Sequence, residues 1–304
     1  MKRTVTKLVA SVLALLCVAV LVQCSSINTA EAHEVTVQAN SVVESNLIST
    51  QQRIETPTKA ELHKVFTINV DTLSSYAWVN EKQCTMPVKE VAIDIQGLNS
   101  GHGYKTVPEL QDTMLGERGV LVVRPYSGPW NWMSFETIKT IDKVLDAVYE
   151  KYGLDDSIPL VAFGRSMGGM GALNYARYGA HKLTAVALNS PVTNLAYHCT
   201  ERPDCAATIY RAYNYYNCSV EEAVMQHDPM NFINDLPRIP YFIAAGDADL
   251  AVHKNVHSDV YVSLMREKGY HVTYLEVPGM THVDLAGHPQ ALSQYANFIS
   301  SFAK

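Results

Sequence analysis

The sequence has no basic cluster: Lys and Arg (24) are outnumbered by Asp and Glu (30) among 304 residues, and the formal net charge is -6. A mildly acidic chain of this kind is a poor match for nucleic acid or an anionic membrane surface, so the expected partner is a small or neutral molecule. Internal repeats and low-complexity tracts are missing too, which argues against solenoid and disordered classes. Cysteines at metal-binding spacing are also lacking. Cys199 and Cys205 stand too far apart for a C-x₂₋₄-C pair and no second pair follows, so neither a metal nor another cofactor is expected. The one long apolar run, Leu8 to Val22, has fifteen residues, short of the roughly 20 that a membrane span needs.

That run follows Lys2, Arg3 and Lys7 and leads to Ala30-Glu31-Ala32, a small-x-small site. Residues 1–32 therefore read as a secretory signal peptide cleaved after Ala32, giving a secreted or periplasmic protein. The alternative is a lipoprotein anchored to the membrane at Cys24, because Leu21-Val22-Gln23-Cys24 resembles a bacterial lipoprotein box. Cleavage after Ala32 moves the net charge from -6 to -8, since Lys2, Arg3, Lys7 and Glu31 leave together. Cys84, Cys199, Cys205 and Cys218 would remain in an oxidising compartment. One disulfide is expected among the last three, with buried free thiols as the alternative.

Residues 33–61 are polar and aperiodic and read as a linker or arm. From residue 62 to 304, short β-branched runs alternate with amphipathic stretches. The expected strands are 65–70, 91–95, 119–123, 158–163, 184–188, 241–245 and 272–277. Ile138, Ile141, Val144, Leu145 and Val148 mark one helix face, and helical patterns also follow Ser166, Lys254 and Pro289. The expected class is α/β, with a mostly parallel central sheet covered by helices on both faces. In such sheets the ligand site lies beyond the carboxyl ends of the strands. An insertion at about 192–236, rich in tyrosine, is too long for a plain loop. It reads as a largely helical lid, or alternatively as a surface excursion.

Three of the strand ends carry chemistry. Gly164-Arg165-Ser166-Met167-Gly168 fits G-x-S-x-G between a strand and a helix, where a serine is held in a strained turn and flanking side chains would collide with their neighbours. A serine hydroxyl needs a base, and the base needs an orienting acid. His282, in the loop after 272–277, is the preferred base over His102, His253, His257 and His288. Asp249, after 241–245, is the preferred acid over Asp247. The order serine, acid, histidine, with gaps of 83 and 33 residues, is that of α/β-hydrolases. Tyr126, Trp130 and Trp132, in the loop after 119–123, are candidates for stacking on a sugar, acyl or aryl group, or for covering the core.

These motifs resemble the α/β-hydrolase superfamily over about residues 62 to 304. "SMGGMGAL" resembles the elbow of the esterase D and feruloyl esterase-like group, and "GDADLAVH" resembles the acid loop of prolyl oligopeptidase-related and carboxylesterase-like members. Arg165 is a departure, since many esterases carry histidine before the serine. The resemblance implies an oxyanion hole from the main-chain N–H groups of Leu98, after Gln96-Gly97, and Met167. The expected activity is hydrolysis of carboxylic esters on a small-molecule or carbohydrate substrate, through an acyl-enzyme. The rivals are a peptidase of prolyl oligopeptidase type, an acyltransferase and a non-catalytic binding module.

Overall fold

The computed structural model describes residues 58–100 and 107–304. The expected signal peptide with Cys24, the linker up to residue 57, and His102 lie outside the described residues. The compact unit His63–Lys304 holds the chemistry and is described by itself.

Its centre is a seven-stranded sheet in the order β1-β3-β2-β4-β5-β6-β7. The strands are β1 (Ala77–Val79), β2 (Glu90–Ile95), β3 (Val120–Pro125), β4 (Leu160–Arg165), β5 (Ala185–Asn189), β6 (Tyr241–Gly246) and β7 (Val272–Val277). All neighbours run parallel except β1, which pairs antiparallel with β3 at one edge. Side chains alternate across the sheet with period two. Val91, Ile93, Leu121 and Val123 therefore enter one core, and Ala92, Val120 and Val122 the other. A sheet buried on both faces explains why these runs are continuously apolar rather than alternating with polar residues.

In chain order the helices are α1 (Lys59–Phe66), α2 (Leu110–Gly116), α3 (Phe135–Tyr152), α4 (Met167–Tyr178), α5 (Leu195–Glu201), α6 (Pro203–Tyr213), α7 (Val220–His227), α8 (Pro229–Phe232), α9 (Ser258–Glu267) and α10 (Pro289–Ile299). The face of α3 read from the sequence is the buried one, with Ile141, Val144, Leu145 and Val148 fully enclosed. Ser134 caps its start and Gly153, at φ 61°, ends it in the left-handed conformation that glycine adopts without strain.

Six of the seven expected strands are present, shifted by at most two residues. The expected strand 65–70 is not. Val65 and Phe66 close α1, and the Thr67 hydroxyl donates to the His63 carbonyl at 2.7 Å. The Asn69 carboxamide then accepts from the main-chain N–H groups of Asp71 and Thr72. These local bonds give the backbone an alternative to a ladder and outweigh the β-branched composition. The edge strand forms further on, at Ala77–Val79.

The insertion between β5 and β6 is helical and comprises α5 to α8. A chain of polar contacts fastens it to α4. The Phe135 N–H donates to the Tyr216 hydroxyl, which donates to His227 Nε2 at 2.9 Å, while His227 Nδ1–H donates to Asn174 on α4 at 3.0 Å. Burial pushes His227 down to about 4, so the ring is neutral and this arrangement of protons is fixed.

The expected disulfide is corrected: Cys84, Cys199, Cys205 and Cys218 are all free thiols. Cys205 is buried in the main core and the other three pack against it. There they act as small apolar side chains, and burial raises the thiol pKa of Cys84, Cys199 and Cys205.

Glu90, at the start of β2, is fully buried. Its carboxyl lies near the main chain of Phe302 and Ala303 without closing a strict hydrogen bond, and burial pushes it up to about 8. A raised folded-state value means that the folded protein holds the proton longer than the unfolded chain does. Stability therefore falls as pH rises from about 4.5 toward about 8. Glu90→Gln should remove that slope. Its unfolding free energy from urea titration, relative to the parent's, should gain progressively from pH 5 to pH 9, reaching on the order of 1–3 kcal/mol, the cost of a buried unsatisfied group. A constant difference across that range would contradict this account.

Candidate active site

The site starts with a steric constraint. Helix α4 leaves β4 so abruptly that a Cβ on Gly164 would lie 2.3 Å from the carbonyl oxygen of Gly168. One on Gly168 would lie 1.9 Å from the carbonyl oxygen of Ile95, at the end of β2. Only glycine permits that approach. Between them Ser166 is held at φ 55° and ψ -122°, a strained conformation for a residue with a side chain. Its N–H donates to the Asn189 carbonyl on β5, and its carbonyl accepts from Val192. The backbone is thus pinned on both sides.

Ser166 and His282 line the same cavity, of about 700 Å³, beyond the carboxyl ends of the strands. His282 Nδ1 is 2.8 Å from Asp249 Oδ2. The other carboxylate oxygen of Asp249 accepts from the main-chain N–H groups of Ala251 at 2.9 Å and Val252 at 3.0 Å. Burial works against ionisation of Asp249, but the hydrogen bonds from His282 and Val252 outweigh it and hold its pKa below the ordinary value. An ionised, fully bonded Asp249 makes Nδ1 of His282 the donor and leaves Nε2 as the acceptor. Backbone strain is concentrated here. Asn99, Trp132, Ser166 and Val283 all line the cavity, and all four have positive φ without being glycine.

Leu98 lines the same cavity and Met167 follows Ser166 as the first residue of α4. Among the described residues the main-chain N–H groups of both are without a backbone acceptor. Of the three candidate aromatics, Trp132 alone lines this cavity. It is buried, and its indole N–H donates to Thr208 of the insertion at 2.9 Å. Trp130 is turned outward into a separate depression and donates to Asn99 at 2.7 Å, with the Arg211 guanidinium 5.4 Å from its ring centroid. Tyr126 lies in another depression, with Trp78 and Lys82. The alternative acid, Asp247, accepts from the Gly279 N–H at 2.6 Å and shapes the turn. Of the competing histidines, His288 lines a different depression, while His253 and His257 are engaged with Glu201.

Sequence reasoning missed the charges beside the serine. Asp94 on β2 and Arg124 on β3 are buried and form an ion pair, and Arg124 Nη2 also reaches Asp112 at 3.2 Å. Arg165 donates through Nη2 to Glu109 at 2.9 Å and to the Gln96 side chain at 3.2 Å. The residue before Ser166 is thereby tied to the loop that carries Leu98. The detectable signal was a charge inside an otherwise apolar strand, since an unpaired charge cannot be buried there.

One further group has the composition of a metal site: ligand atoms of His198, Glu201 and His257 lie within 4.8 Å of one another. His257 Nδ1, however, accepts from the main-chain N–H groups of Thr193 and Asn194, both at 3.2 Å. Its proton therefore sits on Nε2 and faces Glu201 at 3.0 Å, which is hydrogen-bond rather than ligand geometry.

No family model matches this sequence, and no curated protein sequence matches it. Solved structures do. A lipase in its open form aligns with TM-score 0.55 and 17% identity, covering 75% of this chain and 94% of the lipase. A thermostable carboxyl esterase from Bacillus coagulans aligns with TM-score 0.56 and 15% identity, covering 75% of this chain and 94% of the esterase. A puromycin-hydrolyzing peptidase from Mycobacterium tuberculosis aligns with TM-score 0.57 and 16% identity, covering 70% of this chain. This chain spans 35% of that peptidase's length. The fold is that of the α/β-hydrolases.

Gly168→Ala tests the steric constraint. The added methyl meets backbone rather than a movable side chain, so the variant should lose about 3 kcal/mol or more, at or beyond the upper end of ordinary overpacking. A denaturation midpoint within experimental error of the parent would refute the close approach.

Proposed function

We propose that this chain is an exported serine hydrolase that cleaves carboxylic esters through an acyl-enzyme. Ser166 is the nucleophile, His282 the general base and acid, and Asp249 the residue that orients His282. The observation that supports this best is the positive φ of Ser166 at a strand-to-helix turn whose cavity also receives the Asp249-bound His282.

In the first half-reaction Ser166 Oγ attacks the ester carbonyl carbon while His282 Nε2 takes its proton. The carbonyl oxygen becomes an oxyanion that accepts from the N–H groups of Leu98 and Met167. Collapse of the intermediate breaks the bond to the alcohol oxygen, and His282 returns the proton to the departing alcohol. Water then attacks the acyl carbon by the same route and releases the acid and free Ser166. Asp249 stabilises the imidazolium without taking the proton.

The ester reading follows the solved structures that are matched over nearly their whole chains, the lipase and the carboxyl esterase, both at 94% of their length. Export rests on residues 1–32 as a signal peptide, with anchorage at Cys24 as the variant of that reading.

Ser166→Ala should abolish labelling by a fluorophosphonate probe and lower turnover of p-nitrophenyl acetate by about 10⁵–10⁶-fold, as loss of a triad nucleophile does. Asp249→Asn should keep the fold and lower kcat by roughly 10⁴-fold through the wrong imidazole tautomer. Undiminished hydrolysis in Ser166→Ala would end the proposal. Faster cleavage of a proline-containing peptide than of acyl esters would favour the peptidase. Transfer of the acyl group to an added sugar in preference to water would favour the acyltransferase.

A further inference from the structure

His198 also lines the cavity that holds Ser166 and His282, and it projects from α5 of the insertion. It is 3% exposed, and its Nδ1 is 2.8 Å from Glu201 Oε2. The cavity therefore contains a second carboxylate-bound histidine besides His282.

Glu201 is held from several sides. Oε2 meets His198 Nδ1 and His257 Nε2, and Oε1 accepts from the His253 main-chain N–H at 3.1 Å and faces its Nδ1 at 2.8 Å. Burial opposes ionisation of Glu201, yet the hydrogen bonds from His198 and His257 outweigh it and lower its pKa. Glu201 is thus an ionised acceptor, and His198 Nδ1 must carry the proton it donates. The lone pair of His198 is then on Nε2, which makes no hydrogen bond among the described residues. Burial also lowers the pKa of His198, against the pull of Glu201, so the ring stays neutral. An unpaired acceptor on a residue that lines a ligand cavity discriminates for ligands that present a donor.

We infer that His198 is a specificity-determining residue that accepts a hydrogen bond from a hydroxyl group of the substrate, and that Glu201 is the positioning residue that fixes its ring and tautomer. The substrate class is then an ester of a sugar or another polyol. The other cavity walls suit that class, since Arg165 and Glu109 line it and supply a donor and an acceptor. The inference rests on the serine hydrolase reading of the same cavity.

The test compares two acetate esters that share a ring, methyl 6-O-acetyl-glucoside and tetrahydropyran-2-ylmethyl acetate, which has no hydroxyls. The protein should prefer the glucoside by about tenfold or more in kcat/KM, the worth of at least one buried hydrogen bond. In His198→Phe that preference should collapse through KM, and His198→Gln, which restores an acceptor, should recover part of it. Glu201→Gln should weaken it as well. Fluorophosphonate labelling of Ser166 is followed in every variant. An unlabelled parent would sink the hydrolase reading instead, and calorimetric binding of unacetylated methyl glucoside to the parent and to His198→Phe would then decide the role of His198. A ratio unchanged in a labelled His198→Phe, or a parent that prefers the hydroxyl-free ester, overturns the proposal. So does stoichiometric zinc in the purified protein whose removal abolishes the preference, since the cluster would then be a metal site.

Discussion

The carbonyl oxygen of Ile95 and the backbone of Gly168 are packed so closely that no side chain fits between them. That approach sets the start of α4 against the end of β2, and Ser166 takes its strained backbone as a consequence. It also brings the loop after β2 beside the serine. A Cβ on Gly97 would already stand 3.2 Å from the Arg165 carbonyl oxygen and 3.7 Å from Ser166 Cβ. The strain is tolerated because Ser166 is bonded to Asn189 and Val192 while α4 is buried along most of its length. A rigid surround of this kind keeps a reactive side chain in one position, which a flexible loop would not.

Two polar networks of opposite design border the cavity. Beside the strand ends, Arg124 and Arg165 are matched by Asp94, Asp112 and Glu109, so each buried charge has a partner. Pairs of this kind are weak evidence for net stability, because desolvation offsets much of the attraction. Their value is positional, since they tie β2, β3 and the residue before Ser166 to one another. On the insertion side, Glu201 is surrounded by imidazoles, and α5 is bound through it to the loop that follows Asp249. The insertion is fixed at several places, among them through Asn174 and His227 to α4, through Thr208 to Trp132 and through Glu201 to the acid loop.

The sheet was legible because apolar runs such as those at 91–95 and 119–123 have no other stable fate than burial on both faces. The first expected strand failed because Thr67, Asn69 and Thr72 bond their own neighbours, a competition that hydropathy does not register. Ser166, Asp249 and His282, the proposed triad, could be nominated because each follows a strand at a fixed place in the chain order, so one dimension sufficed for the proposal. His198 and Glu201 could not. They lie in an insertion whose orientation depends on tertiary bonds to His253 and His257, more than fifty residues away. Trp130 and Trp132 show the same limit: two residues apart in one loop, they face different depressions because Trp132 and Met133 take positive φ.

Two carboxylate-bound histidines stand in one cavity, and the proposed roles differ because their carboxylates are shared differently. Asp249 offers Oδ2 to His282 alone, with Oδ1 held by main-chain N–H groups, so its charge is available to an imidazolium at that position. Glu201 divides Oε2 between His198 and His257, and its other oxygen faces His253. A proton added to His198 would be shielded by only a share of one charge, on a ring that is largely buried. Desolvation therefore dominates there and keeps the ring neutral. His282 is more open, with 28% of its side chain exposed, and its acid is undivided. The same pair of functional groups is thus suited to proton transfer at His282 and to a fixed acceptor at His198, the difference being set by how many donors share the carboxylate.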